Sequence, residues 1–323
     1  MKKFLIVRFS SIGDIVLTTP VVRCLRQEFP DAEIHYITKS TFKILLNNNP
    51  YIDKIYTIDR EITEVLPELK QENYDLIIDL HRNLRTLRLK LALHKKSYQF
   101  PKVNLKKWLL TTFKINKMPP EHIVDRYFKC VNELGVINDQ KGLDYFIPKQ
   151  DEINLKQYHI PENYVVFAIG AKFATKRLPT SKIIEIINRV PLTVVLLGGK
   201  DDREKAREIS NACSNTIKLC GDLNLNQSAS VVMQSQKVIT HDTGLMHIAS
   251  AFNKSIISVW GNTVPEFGMY PYMPQNSSNY SIHEVKELSC RPCSKIGYQS
   301  CPKKHFNCMQ QQNIDEIVKS VIG

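Results

Sequence analysis

The sequence predicts an α/β protein of two Rossmann-like domains, each built on a parallel sheet, with the two sheets facing a central cleft. Three observations carry that prediction. Short apolar, β-rich runs alternate with amphipathic stretches, the pattern of strands covered by helices on both faces. A polar passage, IPKQDEINLKQYHIPENY at residues 147–164, interrupts the alternation, which then restarts. The chain of 323 residues is also long enough for two domains that each bury a core. The division is expected near residue 150, giving domains 1–150 and 151–323.

Taken in order, FLIVRF reads as the first strand and a helix is expected from about Asp14 to Phe29. EIHYIT follows as a strand, TFKILLNN as a short helix, and KIYTID and YDLIIDL as two more strands. After the polar passage, YVVFAIGA is a strand, TSKIIEIINRV a helix and LTVVLLGG a strand. REKAREISNAC reads as a further helix, followed by the strands KVIT and SIISVWG.

The composition is globular, with 43% hydrophobic residues, and the formal charge of +12 favours an anionic partner. Between Leu80 and Pro120 there are eleven Lys or Arg and no Asp or Glu, which reads either as a solvated basic face or as a docking surface. No segment approaches the roughly 18 apolar residues that cross a bilayer. The N-terminal FLIV is too short for a signal peptide and runs into Arg8, so a cytoplasmic protein is expected, at most peripheral on a membrane. Of the eight cysteines, Cys24, Cys130, Cys213 and Cys220 are scattered and read as buried thiols. No G-x-G-x-x-G follows the first strand, LLGGKDD is not a complete P-loop, and there is no Asp-x-Asp. Dinucleotide enzymes, ordinary NTPases and metal-clamped sugar transferases are therefore disfavoured.

The strongest chemical pattern is VITHDTGLMHIASAF. A strand ends at Thr240 and a helix starts between Asp242 and Gly244, where unpaired N–H groups and the helix dipole suit a phosphate. Gly244 lets a diphosphate approach closely, and Thr243 and His247, four apart, share a helix face. Asp242 or Thr243 as a plain helix cap, and His247 as a core histidine, are the competing readings. GAKFATKRLPTSKI places Lys172, Lys176 and Arg177 on the loop after Gly170, where cations meet phosphates in an α/β crevice or simply face solvent. SVWGNTVPEF offers Gly261 and Thr263 on the next strand-to-loop junction, as ligand contacts or as turn chemistry. In the first half, SSIGD follows the first strand. Ser11-x-x-Asp14 fits a loose capping box, while Gly13 and the position at a strand's C-terminal end suit a reactive loop.

LIVRFSSIGDIVLTTPVVRCLRQEFPDAEIHYIT, DLHRNLRT, TKRLP, THDTGLMHIA and GNTVPEFG, in this order, resemble the ADP-heptose:lipopolysaccharide heptosyltransferases of glycosyltransferase family 9. The resemblance spans nearly the whole chain. It implies a GT-B architecture, with an acceptor-binding first domain and a nucleotide-sugar-binding second domain. It further implies inverting transfer with no cofactor required for catalysis. Carried over by position, Asp14 is the catalytic base; Ser10, Ser11, Gly13, His81, Arg82, Asn83 and Arg85 are expected toward the acceptor. Lys176, Asp242, Thr243, Gly244 and His247, with Gly170, Lys172, Gly261 and Thr263, are expected at the donor. The sequence departs from the family pattern at Leu178, where a tryptophan often stands, and at Met246, where a small polar residue is usual.

A carboxylate at a helix start is stabilised as the anion, which lowers its basicity. Late proton transfer, after an oxocarbenium-like carbon has acidified the hydroxyl, meets that objection. The implied acceptor is an anionic glycolipid on the inner membrane face. His81, Arg82, Asn83, Arg85 and the lysines up to Lys107 would attract it, and LKKWLLTTFKI suits either an interfacial segment or core packing. Cys290, Cys293, Cys301 and Cys308 have C-x2-C-x7-C-x6-C spacing with His305 nearby, compatible with a structural zinc, reduced thiols or a disulfide. Two rivals stand beside transfer: a nucleotide-sugar epimerase of the same fold, and a basic nucleic-acid-binding protein. The second explains the charge but none of the phosphate motifs.

Overall fold

A computed structural model describes all residues, Met1–Gly323. The chain divides into two compact units, Met1–Lys102 with Glu121–Phe146, and Val103–Pro120 with Ile147–Gly323. The sequence division at residue 150 leaves 103–120 with the first half. In the structure these residues pack on the second unit, because Leu110 and Met118 close an apolar cluster with Val264 and Phe267.

The first unit carries a five-stranded parallel sheet in the order β3-β2-β1-β4-β5. Its strands are β1 (Lys3–Val7), β2 (Glu33–Lys39), β3 (Lys54–Ile58), β4 (Leu76–Asp79) and β5 (Ser97–Gln99). Its helices are α1 (Ile12–Val16), α2 (Thr19–Glu28), α3 (Leu66–Gln71), α4 (Leu84–Leu93) and, after α5 (Asn104–Phe113) of the other unit, α6 (Ile123–Phe128). The helix expected from Asp14 to Phe29 is thus two helices. Pro20 sits in the first turn of α2, where its missing N–H costs nothing, and it cannot continue a helix arriving from α1. TFKILLNN forms a 3-10 turn rather than a short α-helix.

The second unit carries a six-stranded parallel sheet in the order β11-β10-β9-β6-β7-β8. Its strands are β6 (Tyr164–Ala168), β7 (Thr193–Leu197), β8 (Thr216–Lys218), β9 (Lys237–His241), β10 (Ser255–Trp260) and β11 (Tyr280–Glu284). The helices are α7 (Thr180–Ile187), α8 (Arg203–Ala212), α9 (Leu225–Gln234), α10 (Gly244–Ala251), α11 (Asn307–Gln310) and α12 (Ile314–Ile322). Side-chain alternation along β6 shows why its strand is apolar throughout. Val165 and Phe167 enter a core with Ile183, Ile209 and Ile317, while Tyr164 and Val166 enter another with Val231, Met246 and Trp260.

Both sheets reverse their winding direction beside their first strand, between β1 and β4 and between β6 and β9. In open α/β sheets, ligands settle at the carboxyl ends of strands at such switch points. The loops after these four strands carry most of the residues singled out from sequence. No helix is long and apolar enough to cross a membrane.

Candidate active site

In the first unit, β1 is followed directly by the buried Arg8, whose guanidinium organises the switch point. It donates to the Leu80 carbonyl after β4 (2.5 Å) and to the Ser10 carbonyl (2.8 Å), and pairs with Asp14 Oδ1 at 2.5 Å. Burial alone would lower the Arg8 guanidinium, but the charge of Asp14, Tyr127 and Tyr36 beside it, and the hydrogen bond to Asp14 together outweigh burial and hold Arg8 above its ordinary value. Asp14 Oδ2 accepts from the Ser11 hydroxyl (2.8 Å) and, more weakly, from the Ser11 backbone N–H (3.2 Å). Asp14 is therefore both a helix cap and the partner of a buried cation. The Ser10–Ser11 peptide is cis.

The other first-unit residues divide. His81 and Arg85 gather around Phe9, the His81 ring edge-on at 5.4 Å and the Arg85 guanidinium 5.6 Å from the ring centre. Burial, with the charges of Arg8 and Lys102, pushes His81 down to about 4, so the ring is neutral. Arg82 is exposed and donates to the Phe100 carbonyl at 3.2 Å. Asn83 is the N-cap of α4, its Oδ1 accepting from Thr86 N–H at 2.9 Å, and Gly13 is buried inside α1. Those two residues serve the helices directly.

In the second unit, Lys176 Nζ reaches from the loop after β6 to Asp242 Oδ2 after β9 at 2.5 Å. Thr263, after β10, donates to the same oxygen at 2.9 Å. Three strand-to-loop junctions thus converge on one carboxylate. Thr243 is the N-cap of α10 but makes no side-chain cap bond; its hydroxyl lies 3.3 Å from that of Thr240. Gly244 opens the helix, and His247 on its first turns is buried.

Two glycines have packing reasons of their own. A Cβ on Gly170 would collide with the Asp202 carboxylate, and one on Gly261 would lie 2.6 Å from the Thr175 carbonyl. Lys172 is exposed, stacked loosely over Phe173 at 5.7 Å, away from the Lys176–Asp242 pair's hydrogen bonds. Leu178, the departure from the family pattern, is buried in the core, and its N–H donates to His241 Nε2 at 3.0 Å. Burial, reinforced by the charges of Lys205 and Arg177, pushes His241 down to about 3, so it stays a neutral acceptor.

Sequence reasoning missed what holds these loops. Buried Arg291 donates to the Gly261 carbonyl (2.6 Å), the Thr263 carbonyl (2.9 Å) and Glu284 (2.9 Å). The Thr175 hydroxyl accepts from Tyr298 N–H at 2.8 Å, and Cys293 N–H donates to the Asn262 carbonyl at 3.2 Å. The cysteine-rich segment therefore buttresses the loops after β6 and β10, and the Arg between its first two cysteines carries no periodic signal to announce that. Within the segment, Cys290 Sγ lies 3.8 Å from His305 Nε2, while Cys308 is packed in the core. Burial raises the Cys293 thiol to about 11 and the Cys308 thiol to about 12. The four scattered cysteines are buried thiols.

Two parallel α/β units with polar residues at both switch points have the frame of a GT-B protein, a fold on which the site decides the activity. The family model for glycosyltransferase family 9 (heptosyltransferase) matches residues 62–299, and the chain belongs to that family. It is a glycosyltransferase. The lipopolysaccharide heptosyltransferase 1 of Campylobacter coli is 24% identical, covering 81% of this chain and 84% of that protein. Among solved structures, the glycosyl transferase family 9 protein of Veillonella parvula is 21% identical over 99% of this chain and 96% of that one, with a TM-score of 0.80. The E. coli ADP-heptose lps heptosyltransferase II is 17% identical over 100% of this chain and 98% of that one, with a TM-score of 0.74.

Proposed function

We propose that the enzyme moves a heptose, with inversion, from ADP-heptose to an anionic lipopolysaccharide core or lipid A acceptor, with Asp14 as general base. The observation that supports this most is the pair of carboxylate–cation contacts at the two switch points, Arg8–Asp14 and Lys176–Asp242. The name of the E. coli neighbour supports the donor, and that of the Campylobacter relative supports a lipopolysaccharide acceptor.

In this reading the acceptor hydroxyl oxygen attacks the anomeric carbon on the face opposite the diphosphate. Its proton passes to Asp14, the glycosidic C–O bond forms, and the bond to the phosphate oxygen breaks with its electron pair leaving on ADP. Lys176 and the first N–H groups of α10 stabilise that charge, and the Thr243 hydroxyl donates to it. Asp242 would repel phosphate oxygens, so its place is to aim Lys176 and to accept hydrogen bonds from sugar hydroxyls. Arg8 and the start of α1 favour an anionic Asp14 of low basicity, which suits late proton transfer.

No step of this mechanism runs through a metal. A structural zinc remains a proposal for Cys290, Cys293 and Cys301 with Cys308 or His305, a donor set that suits tetrahedral coordination. Metal analysis of protein purified without chelator decides it: about one zinc per chain supports it and none removes it. We place the enzyme on the cytoplasmic face of a membrane, where its basic residues meet anionic glycolipid.

The test is ADP release from ADP-heptose with truncated lipopolysaccharide as acceptor, alongside thermal shifts with ADP-heptose, UDP- and GDP-sugars. Acceptor-dependent ADP release and selective stabilisation by ADP-heptose are expected. Turnover of the donor with no acceptor present would indicate epimerisation instead, and selective stabilisation by a UDP- or GDP-sugar would overturn the donor.

A further inference from the structure

Helix α4 is apolar on two faces. Thr86, Leu89 and Leu93 turn inward, and Leu89 and Leu93 join the first unit's core. Leu84, Leu87 and Leu91 are 74, 47 and 62% exposed. Their spacing of three and four places them in one stripe on the opposite side. Single exposed leucines are ordinary, but three in line along ten residues form a continuous patch. The surroundings of the stripe are cationic. Arg88 is exposed between the leucines, Lys95 and Lys96 follow the helix, and no acid occurs from Leu80 to Pro120.

An apolar stripe flanked by arginine and lysines matches an anionic lipid surface, although Glu133 lies near Lys96 and Glu68 sits on the neighbouring α3. Leucines reach below the headgroups, while arginine and lysine stems lie along the apolar layer with their charges at the phosphates. We propose that α4 docks the first unit on an anionic bilayer, with Leu84, Leu87 and Leu91 inserted and Arg88, Lys95 and Lys96 on the headgroups. Binding stands independently of the transferase reading; its purpose rests on that reading's lipid-linked acceptor. Leu84 begins α4 four residues after Leu80, whose carbonyl holds Arg8, the partner of Asp14. A lipid-bound α4 therefore presents headgroup sugars at the carboxyl end of the sheet, beside the loop and helix that carry Asp14. Helix α5 of the second unit has the same ingredients, with Leu105, Trp108 and Phe113 exposed beside Lys106.

The experiment is co-sedimentation of the full chain, without donor or acceptor, with phosphatidylcholine vesicles and with vesicles that also contain phosphatidylglycerol. Binding is expected to the anionic vesicles and to weaken with salt. The variant Leu84→Ser/Leu87→Ser/Leu91→Ser should partition roughly a hundredfold less, since each leucine withdraws apolar surface from the bilayer. The charge variant Arg88→Glu/Lys95→Glu/Lys96→Glu should lose binding to anionic vesicles only. With a deacylated, water-soluble acceptor the leucine variant should turn over like the native enzyme. Failure of the transferase reading would look different: no turnover in any protein, with vesicle binding intact. Partition of the leucine variant within about threefold of native would overturn the proposal. So would a native dimer that the leucine substitutions dissolve, because the stripe would then belong to a second copy of the chain.

Discussion

The two switch points hold the same chemical pair presented in opposite ways. At the first, the Arg8 side chain is 10% exposed and the Asp14 side chain 23%. At the second, Lys176 is the more exposed member at 16%, against 12% for Asp242. Arg8 comes from inside a strand end and is pinned by two carbonyls, whereas Lys176 swings in from a loop. The partner nearer solvent is the one the proposed transfer would use: a carboxylate for a hydroxyl proton, and an ammonium for a diphosphate. One motif of ion pairing can thus serve acid–base work or anion binding, depending on which member the backbone buries.

Removing the more exposed member of each pair tests this division of labour most directly. Asp14→Asn should lower turnover by about 10²–10⁴-fold while the thermal shift with ADP-heptose is kept. Activity within tenfold of native would end the base assignment. Lys176→Ala should cost about 10²–10³-fold in turnover and, unlike Asp14→Asn, should also diminish the shift produced by ADP. If both variants weakened ADP binding equally, the division of labour would be wrong.

Arg291→Met asks how much the loops after β6 and β10 depend on their buttress. It leaves Glu284 without its buried partner and frees the carbonyls of Gly261 and Thr263. About 3–5 kcal/mol of stability should be lost in urea denaturation. A smaller cost follows from His81. Its folded value is depressed to about 4 against an ordinary 6.5, so the unfolded chain takes up a proton first as the pH falls. Stability is full above about pH 6.5 and should fall by roughly 2–3 kcal/mol on the way to pH 4. His81→Gln should flatten that part of the pH–stability curve. The smallest effect belongs to Lys172→Ala, where a change in donor affinity beyond about threefold would show that this exposed lysine belongs to the site after all.

The alternation of strands and helices was legible because burial on both faces of a parallel sheet writes itself into continuous apolar runs. Residues 3–7, 164–168 and 193–197 read directly. Short edge strands did not: Ser97–Gln99 and Tyr280–Glu284 carry few buried side chains and so little pattern. At the switch points, Asp14, Lys176 and Asp242 were legible as candidates because they follow strand ends in recognisable strings. Arg8 could not, since its partners include a carbonyl 72 residues away. Nor could Tyr298, which reaches Thr175 across 123 residues. The roles of Gly170 and Gly261 were hidden for the same reason, because the groups that forbid a Cβ, Asp202 and Thr175, are neighbours only in the folded chain.

The excursion of residues 103–120 onto the second unit has a consequence for exchanging parts between relatives. A chimera cut at residue 147 would carry a foreign α5 into the pocket formed by Val264 and Phe267, directly after the loop that holds Thr263. On the proposed division of acceptor and donor between the units, the first could then not be exchanged without disturbing the second. A graft that respects the fold takes 1–102 and 121–146 together and leaves the intervening helix with its host.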